Sequence, residues 1–257
     1  MFKREQKRNI FNMKTTPIHT TIGSLIIAAV LTTGCTTSNK SSEHGAPVNN
    51  AVASTAPKKA AQEAMKPADA LAQLKAGNAR FVAGKPVQRD LVAERKETSA
   101  GQYPFAVVLS CLDSRTSSEL VFDQGIGDVF NARVAGNILN DDILGSMEFA
   151  CKAAGAKLIA VVGHTKCGAV KGACAGVELG NLTGLLNKIK PAAGAVPASG
   201  DKTDYKHVDA VAAENVKLVM AQITERSPIL AELLREEKVG LVGGMYDLES
   251  GSVTFFE

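Results

Sequence analysis

Two short apolar runs constrain this chain most, because each stops at a residue with metal-binding chemistry. Lys157-Leu-Ile-Ala-Val-Val-Gly163 ends at His164, and Phe105-Ala-Val-Val-Leu-Ser110 ends at Cys111. Runs of this length with no polar alternation read as strands covered on both faces, which is how parallel strands are buried. Asp128 to Val134 is a further strand candidate, and Val239 to Tyr246 and Val253 to Phe256 read as strands joined by a turn at Glu249-Ser250-Gly251. Helical patterns separate them. Ala68 to Val82 carries Leu71, Leu74, Asn78 and Phe81 at helical spacing and breaks at Gly84 and Pro86. Asn140 or Asp141 can cap a helix through Ile143, Met147 and Cys151 that stops at Gly155. Val208 to Arg226 and Ile229 to Glu237 are further helices, divided by Pro228. Strands alternating with helices predict one α/β domain, a mostly parallel sheet flanked by helices with an N-terminal helical arm, over residues 66–257. The low aromatic content of 5%, the absence of Trp and a 45% hydrophobic share fit that class.

The first 65 residues read differently. The formal net charge of +3 comes from the start of the chain, where Lys3, Arg4, Lys7, Arg8 and Lys14 face one acid, Glu5. The rest holds 24 basic against 25 acidic residues, so no basic patch points to nucleic acid. The apolar run Ile22 to Leu31 is shorter than the ~20 residues a bilayer span needs. Behind a basic segment it reads as a secretory signal over residues 1–35, with Met13-Lys14 as a more conventional start. Gly34-Cys35, with Leu31 upstream, resembles a bacterial lipobox despite Thr32, which makes Cys35 the expected lipidation site. Plain cleavage to a soluble periplasmic protein is the other reading. Residues 36–65, rich in Ser, Thr, Asn, Ala, Pro and Lys, read as a flexible tether with His44 idle in it. Of the five cysteines, Cys151 falls on an apolar helix face and reads as core, while Cys174 is undecided.

The chemistry sits in Cys111-Leu-Asp-Ser-Arg115 and His164-Thr-Lys-Cys167. Both follow buried strands, and ligands collect at the carboxyl ends of parallel strands, so one site can gather both despite the intervening residues. Cys111, His164 and Cys167 make a Cys2His set that leaves a fourth zinc position for water. Asp113 has two options. Held by Arg115 it stays ionised and accepts a hydrogen bond; released, it can close the site as a fourth ligand. Ser114 and Thr165 are candidates for supporting hydrogen bonds. A closed structural zinc site has no use for Arg115, no Cys-x-x-Cys marks a redox pair, and iron–sulfur ligation wants four clustered cysteines.

With Ser110-Cys-Leu-Asp-Ser-Arg115, Phe122-Asp-Gln-Gly-Ile-Gly-Asp128, Arg133-Val-Ala-Gly-Asn137, Gly163-His-Thr-Lys-Cys-Gly-Ala169 and the early Leu74-Lys-Ala-Gly-Asn-Ala-Arg-Phe81, the chain resembles the β-class carbonic anhydrases from about Pro67 to Glu257. That resemblance implies zinc on Cys111, His164 and Cys167, one ion per chain, a catalytic pair of Asp113 and Arg115, and a substrate hydrogen bond from the Gly168 N–H. It implies reversible hydration of carbon dioxide to bicarbonate, and a homodimer or homotetramer with residues shared across the interface. The plant-like subtype places a Gln nine residues before the first Cys, where Gln102 stands, and Phe130 matches an apolar wall of the substrate pocket. The bicarbonate-regulated subtype has a Trp where this chain has Val108. Rival readings are a carbon disulfide or carbonyl sulfide hydrolase on the same scaffold, and a non-catalytic zinc-binding envelope protein. His207 has nothing tying it to the site.

Overall fold

The computed structural model describes residues 56–198 and 200–256. The leader, Cys35, His44 and most of the tether lie outside them. Five strands form one sheet: β1 (Ala106–Ser110), β2 (Val129–Arg133), β3 (Leu158–His164), β4 (Gly240–Tyr246) and β5 (Val253–Phe256), in the order β2-β1-β3-β4-β5. The first four run parallel, and β5 returns antiparallel to β4. Side chains on β1 alternate between two cores, as a pleated strand requires. Val107 and Leu109 pack with Ile159, Val161 and Ile223, while Ala106 and Val108 pack with Leu74, Phe122 and Val162. Both faces are covered, which is why the β1 and β3 runs carry no polar alternation.

The first core is closed by α5 (Asp141–Glu148), α9 (Tyr205–Arg226) and α10 (Pro228–Arg235), and the second by α2 (Pro67–Val82). Asn140 caps α5 by accepting from the Ile143 N–H at 2.8 Å. The predicted run through Cys151 is present, but Phe149–Ala153 winds as a π turn before Gly155 ends it at φ 84°. The position of Asn78 on the apolar face of α2 has a polar cause. Its buried amide donates to the carbonyls of Val121 (3.0 Å) and Gly251 (2.9 Å) and accepts from the Val253 N–H (2.8 Å). Those three bonds pin the helical arm to the sheet edge.

Two boundaries differ from the expectations, and a set of short helices adds to them. Order starts before Pro67, because α1 (Lys59–Ala64) forms within the stretch read as tether. Its Gln62 is buried and donates to the carbonyls of Pro104 (2.7 Å) and Ala154 (2.8 Å). Composition measures apolar content and misses one amide that finds two carbonyls. His164 is the last residue of β3, paired with Tyr246, rather than the first beyond it. Five shorter helices carry no strong sequence period: α3 (Leu91–Thr98), α4 (Ser118–Val121), α6 (Gly168–Cys174), α7 (Gly180–Asn187) and α8 (Lys190–Ala195). Among the described residues, no helix is long and apolar enough to cross a membrane.

Candidate metal centre

The ends of β1 and β3 deliver the site. Cys111 leaves β1; His164 ends β3; Thr165 and Lys166 make a turn, and Cys167 precedes α6. The donor atoms of Cys111, His164 and Cys167 all lie within 4.8 Å of one another, and all three residues are buried. His164 Nδ1 lies 2.9 Å from the Thr165 carbonyl, which can only accept, so Nδ1 carries the proton and Nε2 presents a lone pair. That Nε2 is buried with no hydrogen-bond partner among the described residues. A buried polar atom without a partner is costly unless a ligand completes it.

The sulfurs behave as a coupled pair. Hydrogen bonding from Cys167, with help from the Asp113 and Gly136 N–H groups, holds the Cys111 thiol down to about 4 against the opposing effect of burial. Cys167 is driven well above the usual thiol range, because it keeps the shared proton and is buried. Two sulfurs that cannot both ionise unaided, facing one imidazole lone pair, are a site for a cation. Two thiolates and one imidazole match the soft, tetrahedral donor set that zinc takes.

Of the two placements open to Asp113, the structure shows the one on Arg115. Arg115 Nε donates to Oδ1 at 2.9 Å and its terminal nitrogen to Oδ2 at 2.8 Å, while the Arg115 backbone N–H donates to Oδ1 at 3.0 Å. These bonds, the guanidinium above all, hold the carboxyl well below the usual carboxylate range. Asp113 Oδ2 stays 4.0 Å from His164 Nε2, beyond hydrogen-bond reach and outside the three-donor group. Thr165 contributes its backbone carbonyl to His164, while its hydroxyl accepts from the Leu248 N–H at 3.0 Å. Ser114 is exposed.

Two residues with no predicted role organise the loop. Arg133 on β2 donates to the Cys111 carbonyl at 3.0 Å and the Asp113 carbonyl at 2.5 Å, and the buried Thr116 hydroxyl lies 2.9 Å from each. The block Arg133-Val-Ala-Gly-Asn137 was the available signal, but it does not say which backbone Arg133 reaches.

A cleft of about 260 Å³ opens beside the donors, lined by Cys111, Asp113, Ala135, Gly168, Leu182 and Leu186 among others. Gly168 is the first residue of α6, where backbone N–H groups have no partner within the helix. The apolar side of the cleft thus comes from α7 rather than from Phe130. Within one chain Phe130 lines a separate cleft with Asp141 and Asp142, its ring edge-on to Phe149 at 6.3 Å between centroids. Gln102 is exposed on the segment entering β1. Cys151 is buried in the core and Cys174 is half-buried at the end of α6.

The family model described as carbonic anhydrase matches residues 106–253, more than half of the chain. The carbonic anhydrase of Mycolicibacterium smegmatis is 38% identical over 189 residues, covering 73% of this chain and 92% of that protein. The β-carbonic anhydrase CafA of Aspergillus fumigatus superposes with a TM-score of 0.59 at 27% identity, covering 74% of this chain and 90% of CafA. A structure from a study of two tetrameric β-carbonic anhydrases of Sordaria macrospora has a TM-score of 0.56 at 23% identity, covering 63% and 84%. The matched residues 106–253 take in β1 to β4 and both strand ends that carry the donor residues, and this chain belongs to the β-class carbonic anhydrases.

Proposed function

We propose that this chain hydrates carbon dioxide reversibly to bicarbonate and a proton, with one zinc ion held by Cys111, His164 and Cys167. The observation that carries the reading is the buried, unpartnered Nε2 of His164, converging with two sulfurs beside a carboxylate that Arg115 keeps out of the donor group. Zinc bound there supplies the Lewis acidity that makes water a nucleophile at neutral pH.

The chain's own residues do the rest. Asp113 is held ionised and by both oxygens, so it is a fixed acceptor for the O–H of the attacking water and orients its lone pair toward the cleft. A carboxyl held this far below its ordinary value does not take the proton itself. In this reading the Gly168 N–H, at the start of α6 and lining the cleft, donates to a substrate oxygen. Ala135, Leu182 and Leu186 give the small apolar substrate a wall that competes poorly for water.

The plant-like reading has support beside the site. The cavity lined by Val108, Ser110, Ser118 and Tyr246 has a volume of about 10 Å³, room for one water and none for a bicarbonate ion. The assignment of Gln102 and Phe130 to substrate requires a second copy of the chain to supply them, in keeping with a homodimer or homotetramer. Export to the periplasm with a lipid on Cys35 rests on the leader sequence alone.

Stopped-flow carbon dioxide hydration with parallel zinc analysis tests the activity. Zinc-loaded protein with no activity between about pH 7 and pH 9 sinks the proposal. Asp113→Ala should keep zinc and lose most of the activity. Palmitate labelling of the full chain with and without Cys35→Ala tests the anchor.

A further inference from the structure

Helix α9 supplies no ligand to the candidate metal centre, yet three of its turns reach the backbone that carries the ligands. Asp209 accepts a hydrogen bond from the Lys166 N–H at 2.6 Å. Lys166 lies between His164 and Cys167 and adopts φ 57°, a left-handed conformation that a residue with a side chain avoids unless its surroundings hold it. One turn on, α9 presses against β3 next to His164. A Cβ on Gly163 would come to 2.8 Å from both Val216 Cγ2 and Met245 Sδ, so a side chain there would force one of these neighbours to shift. Further along, Asn215, 2% exposed, donates from Nδ2 to the Gly136 carbonyl at 2.9 Å. Gly136 is also left-handed, at φ 65°, and its N–H donates to Cys111 Sγ at 3.3 Å.

We propose that α9 is the frame that sets the geometry of the metal ligands, with Asp209 and Asn215 as its positioning residues. Asp209 fixes the turn that spaces His164 from Cys167. Asn215 fixes the carbonyl of Gly136, the residue whose own N–H partly neutralises the Cys111 sulfur. The two side chains stand six residues apart, ~9 Å along the helix axis, and so tie loops from two different strands to one rigid element. Both act through backbone groups next to the ligands, where outer hydrogen bonds orient a metal site and tune its donors. The proposal rests on the zinc reading above.

The test compares full-length wild type with Asp209→Ala, Asp209→Asn and Asn215→Leu. Two properties are read besides activity: the rate of zinc loss to a chromogenic chelator, and the thiolate-to-metal charge-transfer band of the cobalt-substituted protein. Asp209→Ala should lose zinc ~10- to 100-fold faster, the range typical of an outer partner. Asp209→Asn retains an acceptor oxygen for the Lys166 N–H and should stay within about twofold of wild type. Asn215→Leu keeps the volume but not the donor; it should shift the cobalt band and speed zinc loss. Should Asn215→Leu fail to fold, the half-buried Asp209 pair carries the test by itself. Wild-type zinc-loss rates in Asp209→Ala, with an unshifted cobalt band in Asn215→Leu, overturn the positioning role. A wild-type protein that binds no zinc overturns the zinc reading, and with it this proposal, and is told apart because the parent itself then fails.

Discussion

The Cys111 carbonyl is the point where loop stability and ligand position meet. It accepts from Arg133 Nε at 3.0 Å, and the Thr116 hydroxyl is its second donor at 2.9 Å. The Asp113 carbonyl has Arg133 and the Thr116 N–H at 3.1 Å, which leaves the single Thr116 hydroxyl proton for the Cys111 carbonyl. Thr116→Val, nearly isosteric, removes one hydroxyl and leaves Arg133 on both carbonyls, so it should cost only about 1 kcal/mol. Arg133→Met likewise leaves Thr116 in place and should cost a similar ~1 kcal/mol. The double variant differs in kind. It strips both donors from the carbonyl of a residue that is only 4% exposed, and an orphaned buried acceptor costs ~1–3 kcal/mol beyond the sum of the singles. The Asp113 carbonyl keeps its backbone donor and adds little. Urea unfolding of the four proteins, at fixed protein concentration and fixed free zinc, gives the coupling as a double-mutant cycle. The double variant should melt ~2–12 °C below the temperature that additivity predicts, at ~2–4 °C per kcal/mol for a domain of this size. Additivity within ~0.5 kcal/mol would falsify the shared-acceptor account.

Other expectations follow from the same geometry. Arg115→Ala leaves every ligand in place and should keep its zinc, while hydration falls about a hundredfold because Asp113 loses its fixed orientation; activity within twofold of wild type contradicts that role. Gly77→Ala brings a Cβ to 1.7 Å from the Phe122 carbonyl oxygen, so α2 must move. An overpacking cost of ~1–3 kcal/mol outweighs the ~1 kcal/mol gain in helix propensity, and a calorimetric Tm at or above wild type would count against the close packing. The Cys151 thiol is pushed up to about 12 by burial, so in the folded protein it should resist a thiol reagent at pH 8 and react only on unfolding. The Asp113 carboxyl is lowered on folding, so its contribution to stability is complete above the unfolded value near ~4 and is lost as pH falls toward the folded one. In the metal-free protein the Tm gap to Asp113→Asn should therefore be flat from about pH 8 to pH 5 and narrow in stronger acid. A gap that widens on acidification reverses the sign and refutes the assignment.

The strands and the residues at their ends were readable because both are local properties. An unbroken apolar run with a cysteine or histidine at its carboxyl end needs nothing remote to be recognised, and β1 and β3 stand where the runs lie. Residues 168–195 were not readable in this way. Their Ala- and Gly-rich segments have weak periodicity, yet α6 and α7 form the wall of the cleft. The ordering of Gln62 shows the same limit on a smaller scale, as it depends on carbonyls 42 and 92 residues away.

The amino-acid sequence by itself determined the α/β class, the three side chains that could hold a metal ion and the pairing of an acid with an arginine two residues on. It does so because short-range spacing and burial pattern are written into neighbouring residues. Only the tertiary structure decided which way Asp113 points, that Phe130 and Gln102 lie away from the cleft of their own chain, and that Arg133 and α9 hold the ligand loops. Asn215 and Gly136 are 79 residues apart and meet only because α9 crosses the strand ends, a consequence of packing that no local pattern encodes.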